Sequence, residues 1–131
     1  MYLVDSDILI NFLKGKSQEV KIFKSLQNEF FYINVISVGE ILEGLLGTSN
    51  KKKLSSFKEL LKTFTILNVD LPIMEKFAGL RKLLRKKGEL IDNFDLLIAS
   101  SCLTHNLTLL TKNLSHFKRI SGLKIYQGLI G

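Results

Sequence analysis

A single cysteine, a single proline and no tryptophan stand among the 131 residues, and each scarcity rules something out. One thiol, Cys102, cannot close a disulfide within the chain, so this is not a small secreted scaffold held by cystines. Its apolar neighbours predict an inert, buried thiol. Histidine is nearly as scarce, with only His105 and His116. Neither has a partner at the spacing of a metal-ligand pair or a catalytic triad, which argues against acid and base catalysis by paired imidazoles. His105 is placed at a helix end and His116 in a loop before Phe117. No glycine-rich loop of the phosphate-cradling type occurs. No apolar stretch reaches the length of a membrane span. The run from Ile8 to Leu13 is short, follows two aspartates and has no basic leader, unlike a signal peptide. The expectation is a protein of the reducing cytoplasm. No linker, repeat or low-complexity tract interrupts the chain, so residues 1–131 are expected to form one domain, long enough to bury a core.

Hydrophobic residues make up 46% of the chain and the formal net charge is +7, with an isoelectric point near 9.6. The first number fits a folded globule. The second favours polyanionic partners, through counterion release and long-range steering. The positive charge is clustered, in Lys51-Lys52-Lys53 and in Arg81, Lys82, Arg85, Lys86 and Lys87. Two solvated faces are the bland alternative, the second placing cations at a helix C-terminus, where the dipole favours them.

Tyr2 to Val4 is a short apolar run that ends in Asp5-Ser6-Asp7 and leads into a longer apolar segment, the pattern of a buried strand feeding a helix. Residues 18–28 read as a helix and Phe30 to Val35 as a strand. Ser37 then opens a helix that places Glu40 at the capping-box spacing and runs to about Gly47. A basic amphipathic helix follows over 51–63, and a strand over Phe64 to Val69. Asp70-Leu71-Pro72 opens a long helix that ends at Gly88, with Met74, Phe77, Leu80 or Arg81, and Leu84 as its core stripe. Asp92 starts the next helix, which ends near His105-Asn106. Thr108 to Thr111 is a strand and Lys124 to Tyr126 a candidate one. Strands alternating with helices predict an α/β fold: a three-layer αβα sandwich around a mainly parallel sheet.

In such folds, ligands bind beyond the carboxyl ends of the strands, where Asp5 would stand. Asp95 lies three, four and seven residues before Ile98, Ala99 and Cys102, on the stripe of its helix that should face the protein. A carboxylate there is costly unless something pairs with it. Each acid also has a purely structural alternative: Asp5 or Ser6 as a helix cap, Glu40 as the partner of Ser37 with Glu43 as a competitor, and Asp92 as an N-cap. If Asp5, Glu40 and Asp95 meet, two carboxylates ~4 Å apart repel by about 4 kcal/mol at an effective dielectric of ~20. Without help, such a cluster would protonate or splay. A divalent cation cancels the repulsion, and all-oxygen ligands select Mg²⁺ or Mn²⁺ over zinc. That points to phosphodiester hydrolysis.

The segments Leu3-Val-Asp-Ser-Asp-Ile-Leu-Ile10, Ile36-Ser-Val-Gly-Glu-Ile-Leu-Glu-Gly44, Ile91-Asp-Asn-Phe-Asp-Leu-Leu-Ile-Ala99 and Leu109-Leu-Thr-Lys-Asn113, followed by Phe117, resemble the ordered motifs of PIN-domain ribonucleases. More narrowly, they resemble the VapC-type toxins of toxin–antitoxin pairs. The resemblance spans nearly the whole chain. It implies a Mg²⁺- or Mn²⁺-dependent endoribonuclease, a homodimer, and a cognate antitoxin as partner. Asp5, Glu40 and Asp95 match the family's three metal-binding acids. Asn113 matches a fourth position that is often Asp, and its neutral amide implies a weaker hold on a second ion. Ser6 and Thr111 match small hydroxyl positions, and Asp7 stands where the family often has Asn. Asp92 is outside the usual three and is taken as an outer-shell group. Arg81 matches a basic position for a substrate phosphate, with Arg85, Lys51, Lys52 and Lys53 as further RNA contacts. RNA would enter as a single strand or exposed loop.

Two other readings stay open. Asp5-Ser6-Asp7 also resembles the nucleophile motif of haloacid dehalogenase-like phosphatases, with Asp5 attacking phosphate and Asp7 as acid and base. The later acids here open a helix, however, and the chain is short for a cap-bearing phosphatase. A noncatalytic RNA-binding or partner-binding module of the same fold is the third reading.

Overall fold

A computed structural model describes residues 1–47 and 51–129. In chain order the elements are β1 (Tyr2–Val4), α1 (Ser6–Leu13), α2 (Ser17–Ser25), β2 (Phe31–Asn34), α3 (Val35–Leu46), α4 (Lys51–Leu61), β3 (Thr65–Leu67), α5 (Leu71–Lys87), α6 (Asn93–His105), β4 (Thr108–Leu110) and α7 (Leu114–Phe117), then a 3₁₀ turn over Gln127–Leu129. The strands form a four-stranded sheet in the order β3-β2-β1-β4, and every pairing is parallel. No described helix is long and apolar enough to cross a membrane.

The layers follow from strand alternation. Neighbouring side chains on a strand point to opposite faces, and Leu3 and Leu109 join one buried cluster while Val4 and Leu110 join the other. The first cluster is closed by Leu84 of α5, by Ile98 and Ala99 of α6, and by Phe117 of α7. The second is closed by Ile8 and Leu9 of α1, Ile22 of α2, Ile41 of α3 and Phe57 of α4. Both faces of the sheet are therefore covered, as the continuous apolar strands require, and the expected three-layer α/β arrangement is present.

Helix ends follow local chemistry. The Asp70 side chain caps α5 through Ile73 N at 3.2 Å, Pro72 sits in the first turn, and Gly88 closes the helix at φ 70°, a left-handed conformation that glycine adopts without a Cβ penalty. The core stripe of α5 is one residue out from the expected one at its start. Ile73 is buried while Met74 is 40% exposed, with Phe77 and Leu80 half-buried and Leu84 buried. Residues 73, 77, 80 and 84 keep the helical period, so the apolar Met74 simply falls outside it.

Four further expectations are corrected. Ser37 does not cap α3, and no capping box forms with Glu40. Asn34 is the cap, its Oδ1 accepting from Ile36 N at 2.9 Å while its Nδ2 donates to Ser101 Oγ at 2.6 Å. The strand turns directly into the helix at Val35, which leaves Ser37 buried inside it with its hydroxyl unpartnered among the described residues. The second helix ends at Ser25 rather than running on to residue 28. Lys124 to Tyr126 makes only a single parallel bridge, Ile125 to Leu109. His116 sits in the short helix α7 rather than in a loop.

Candidate active site at the carboxyl edge of the sheet

β1 and β4 lie side by side, and the residues just after them meet first. Asp5 N donates to Leu110 O at 2.9 Å, which brings Asp5 beside Thr111. Asp5 also caps α1, its Oδ1 accepting from Ser6 N at 2.9 Å, and its Oδ2 accepts from Thr111 Oγ1 at 2.7 Å. The capping reading of Asp5 thus holds. The side chain is 6% exposed.

From Thr111 a line of contacts runs to Asp95. Thr111 Oγ1 accepts from Asn113 N at 3.0 Å, and Asn113 Nδ2 donates to Asp95 Oδ2 at 2.9 Å. His116 Nδ1 lies 2.9 Å from the same Asp95 oxygen and 3.0 Å from Asn113 Nδ2. Asp95 stands in the first turn of α6, whose N-cap is Asp92; the Asp92 carboxylate accepts from Phe94 N at 3.0 Å and Asp95 N at 3.4 Å. Asp7 joins from α1, its Oδ1 accepting from Ile8 N at 2.7 Å and its Oδ2 from Lys112 N at 3.1 Å. Glu40 is exposed on α3 and makes none of these hydrogen bonds.

The carboxylates nevertheless feel one another. Burial, and then the charge of Asp7, push the Asp5 carboxyl up to about 7, against the hydrogen bonds from Thr111 and Ser6; Asp95 adds a smaller push. Asp7 is raised by burial, with Asp95 adding to it against the hydrogen bonds from Lys112 and Ile8. Glu40 is raised by desolvation of its carboxyl group and then by Asp95, Asp92, Asp7 and Glu43. Among the described residues no three His, Cys, Asp or Glu side chains stand close enough to share an ion as they are placed. Burial is the largest cause of each of these shifts, and the charges of the neighbouring carboxylates add to it. The donor set fits a hard divalent cation: oxygen ligands from Asp5, Asp95 and Glu40 in one negative field that a cation would relieve.

The basic residues divide. Arg81 Nε donates to Asn93 Oδ1 at 3.2 Å, at the start of α6 and two residues from Asp95. Lys52 and Lys53 line, together with Glu40, Ile10, Ile41 and Ser56, a cleft of about 550 Å³ between α1, α3 and α4. Arg85 and Lys51 are exposed, and their side chains make no hydrogen bond or ion pair among the described residues.

Several residues of the site had no sequence signal. Glu19, fully buried on α2, holds Lys112 Nζ at 2.5 Å and accepts from Asn11 Nδ2 at 3.2 Å, while its Oε2 has no partner among the described residues. Burial pushes its carboxyl up, but the Lys112 and Asn11 hydrogen bonds and the Lys112 charge outweigh burial and leave it below the ordinary range. This ion pair, buried at its Glu19 end, braces the loop whose backbone holds Asp7. His116, set aside on spacing alone, is the clearer correction. The short helix α7 folds it back three residues from Asn113, and i, i+3 neighbours share a helix face. Cys102 is buried as expected, and burial raises its thiol far above the ordinary value.

The chain matches known proteins over nearly its whole length. A family model described as PIN domain matches residues 2–123. A ribonuclease VapC1 of Methanocaldococcus jannaschii is 36% identical over 126 residues, covering 95% of this chain and 85% of that protein. A ribonuclease VapC1 of Rickettsia felis is 33% identical, covering 94% and 92%. Among solved structures, VapBC2 of Rickettsia felis, bound to a DNA fragment from its promoter, superposes with a TM-score of 0.87 at 27% identity, over 95% of this chain and 96% of that one. VapBC-1 of nontypeable Haemophilus influenzae superposes at 0.86 with 25% identity over 98% of both chains.

Proposed function

We propose, because the chain belongs to the PIN domain family, that it is a Mg²⁺- or Mn²⁺-dependent endoribonuclease and the toxin of a toxin–antitoxin pair. One observation carries the reading: the hydrogen-bonded line from Asp5 through Thr111 and Asn113 to Asp95, within a field that pushes the buried Asp5 up to about 7. The ribonuclease names of the relatives support the activity. The VapBC assemblies of similar fold support an antitoxin partner. A homodimer belongs to the same reading, and light scattering on the purified chain checks it.

Asp5, Glu40 and Asp95 would hold the cation, with Asn113 as a weaker contributor and Asp92 behind them. When bound, the ion supplies charge neutralisation at the phosphoryl oxygens and an activated water. The chain's own groups do the rest. Ser6 N and Thr111 Oγ1 fix the Asp5 carboxylate, Lys112 N fixes Asp7, and the buried Glu19 fixes Lys112. Arg81, Lys52 and Lys53 would meet RNA phosphates by charge. Hydrolysis puts the water oxygen on phosphorus, and a proton ends on the departing ribose oxygen. The phosphatase alternative wants its later acidic pair beside a strand, whereas Asp92 and Asp95 stand at the start of helix α6.

The purified chain is expected to cleave single-stranded RNA with Mg²⁺ or Mn²⁺ and not in EDTA. Asp95→Asn should remain uncleaving while binding RNA within about threefold of the parent, because it removes a ligand and leaves the basic surface intact. Cleavage that persists in EDTA or in Asp95→Asn would overturn the reading. Binding of uncleaved RNA should also weaken steeply with salt, log K falling by roughly 0.7 per phosphate neutralised for each unit of log salt. Arg81→Ala should flatten that slope by about the same amount. A filter-binding salt titration with an unchanged slope would remove Arg81 from the RNA path.

A further inference from the structure

We infer that His116 is a positioning residue for the metal-binding carboxylate of Asp95, holding Oδ2 through its Nδ1 proton and leaving Oδ1 as the ligand atom. This rests on the metal-dependent reading above and adds a residue to it. An ionised carboxylate only accepts hydrogen bonds, and the amide nitrogen of Asn113 only donates. With His116 Nδ1 2.9 Å from Asp95 Oδ2 and Asn113 Nδ2 2.9 Å from the same atom, a protonated Nδ1 lets both groups donate to Oδ2; Nδ1 and Nδ2, 3.0 Å apart, then converge on that oxygen as two donors and make no bond to each other. Oδ1 then takes no hydrogen bond among the described residues.

The clamp is built on a fixed support. Phe117, the next residue, is fully buried, and Ile120 is 5% exposed, so α7 is anchored in the core cluster against α6. The packing of Phe117 fixes the backbone from which the imidazole reaches Asp95. The side chain of His116 is 39% exposed and that of Asp95 20%, so the pair stands at the mouth of the site. Two donors on one oxygen favour monodentate binding through the other. Partners of this kind behind a ligand commonly govern metal affinity by roughly 10- to 100-fold.

The two amide substitutions separate the role of Nδ1 from mere bulk. Asparagine places an N–H near the position of Nδ1, whereas glutamine places one near that of Nε2. Mn²⁺ binding to the full chain, read from the electron paramagnetic resonance signal of free Mn²⁺, should weaken roughly 10- to 100-fold in His116→Ala and His116→Gln. His116→Asn should stay within about threefold of the parent. The RNA cleavage defect of His116→Ala should shrink as Mn²⁺ is raised, an effect on metal dependence that a folding defect would not show. Circular dichroism melts of the three variants check that each is folded. Parent-like Mn²⁺ affinity in His116→Ala would overturn the inference alone, as would an asparagine variant as weak as alanine. A parent chain that binds no Mn²⁺ would overturn the metal-dependent reading and this inference with it.

Discussion

Replacing Asp5 with asparagine is expected to cut RNA cleavage by roughly 10²- to 10³-fold and, in the same protein, to raise the melting temperature of the metal-free chain at pH 8. The two effects share a cause. Asp5 is 6% exposed and, next to Asp7 and near Asp95, is pushed up to about 7, so at pH 8 it is ionised in a place that disfavours the charge. Asparagine removes that charge but keeps the shape. Its oxygen can still accept from Ser6 N, and its amide nitrogen can donate to Thr111 Oγ1, whose hydroxyl also has acceptor capacity. An active site that stabilises the fold when disarmed is the usual sign of function held against stability. Single-turnover cleavage of a fluorogenic RNA and melts in EDTA at pH 8 check the pair. Parent-like cleavage would remove Asp5 from the chemistry, and a lower melting temperature would mean that its charge is compensated by something the geometry does not contain.

Why Asp5 was readable from sequence and His116 was not is a question of range. The turn from β1 into α1 is local: a short apolar run, an Asx cap and an apolar helix all lie within thirteen residues. Helices α5 and α6 were equally local, signalled by Asp70, Pro72 and Gly88 in one and by Asp92 and Asn106 in the other. The Ser37 cap failed because the spacing from Ser37 to Glu40 satisfies a local pattern, while the cap in use, Asn34, is selected by a bond to Ser101, 67 residues away. The Thr111 to Asp5 bond spans 106 residues and the His116 to Asp95 contact 21. Thr111 entered the sequence reading only through a family resemblance. Glu19 had no such help: its acidic side chain in a polar stretch looks like surface, and its burial depends on Lys112 arriving from the far end of the chain. Local chemistry therefore fixed the elements, whereas the site is assembled by contacts that only the sheet order β3-β2-β1-β4 creates.

The metal-free chain is expected to lose stability as pH rises from about 5 to 8, the reverse of ordinary acid denaturation, and to regain it when Mg²⁺ or Mn²⁺ is added. Asp5 has a folded value of about 7 against an unfolded one of 3.8. A carboxyl raised in this way binds more protons folded than unfolded between those values. Its stabilising contribution is therefore complete below about pH 4 and lost as pH passes through about 7. Between pH 5 and 8 the loss covers about two pH units, on the order of 3 kcal/mol, or roughly 10 °C in melting temperature for a domain of this size. Asp7 and Glu40 are shifted in the same direction. Glu19 is shifted the other way, so its contribution fails only on acidification below the ordinary carboxyl range and leaves this window untouched. A bound cation favours the ionised carboxylates and so should restore most of the loss at pH 8 while doing little at pH 5, where protons compete for the same oxygens. Differential scanning calorimetry at pH 5, 6.5 and 8, with EDTA or millimolar Mn²⁺, reads this directly, and Asp5→Asn, which cannot titrate at that position, should flatten the metal-free profile. A melting temperature that rises with pH in EDTA, or an Asp5→Asn profile as steep as the parent's, would show that the repulsion gathered around Asp5 is not what sets the stability of this site.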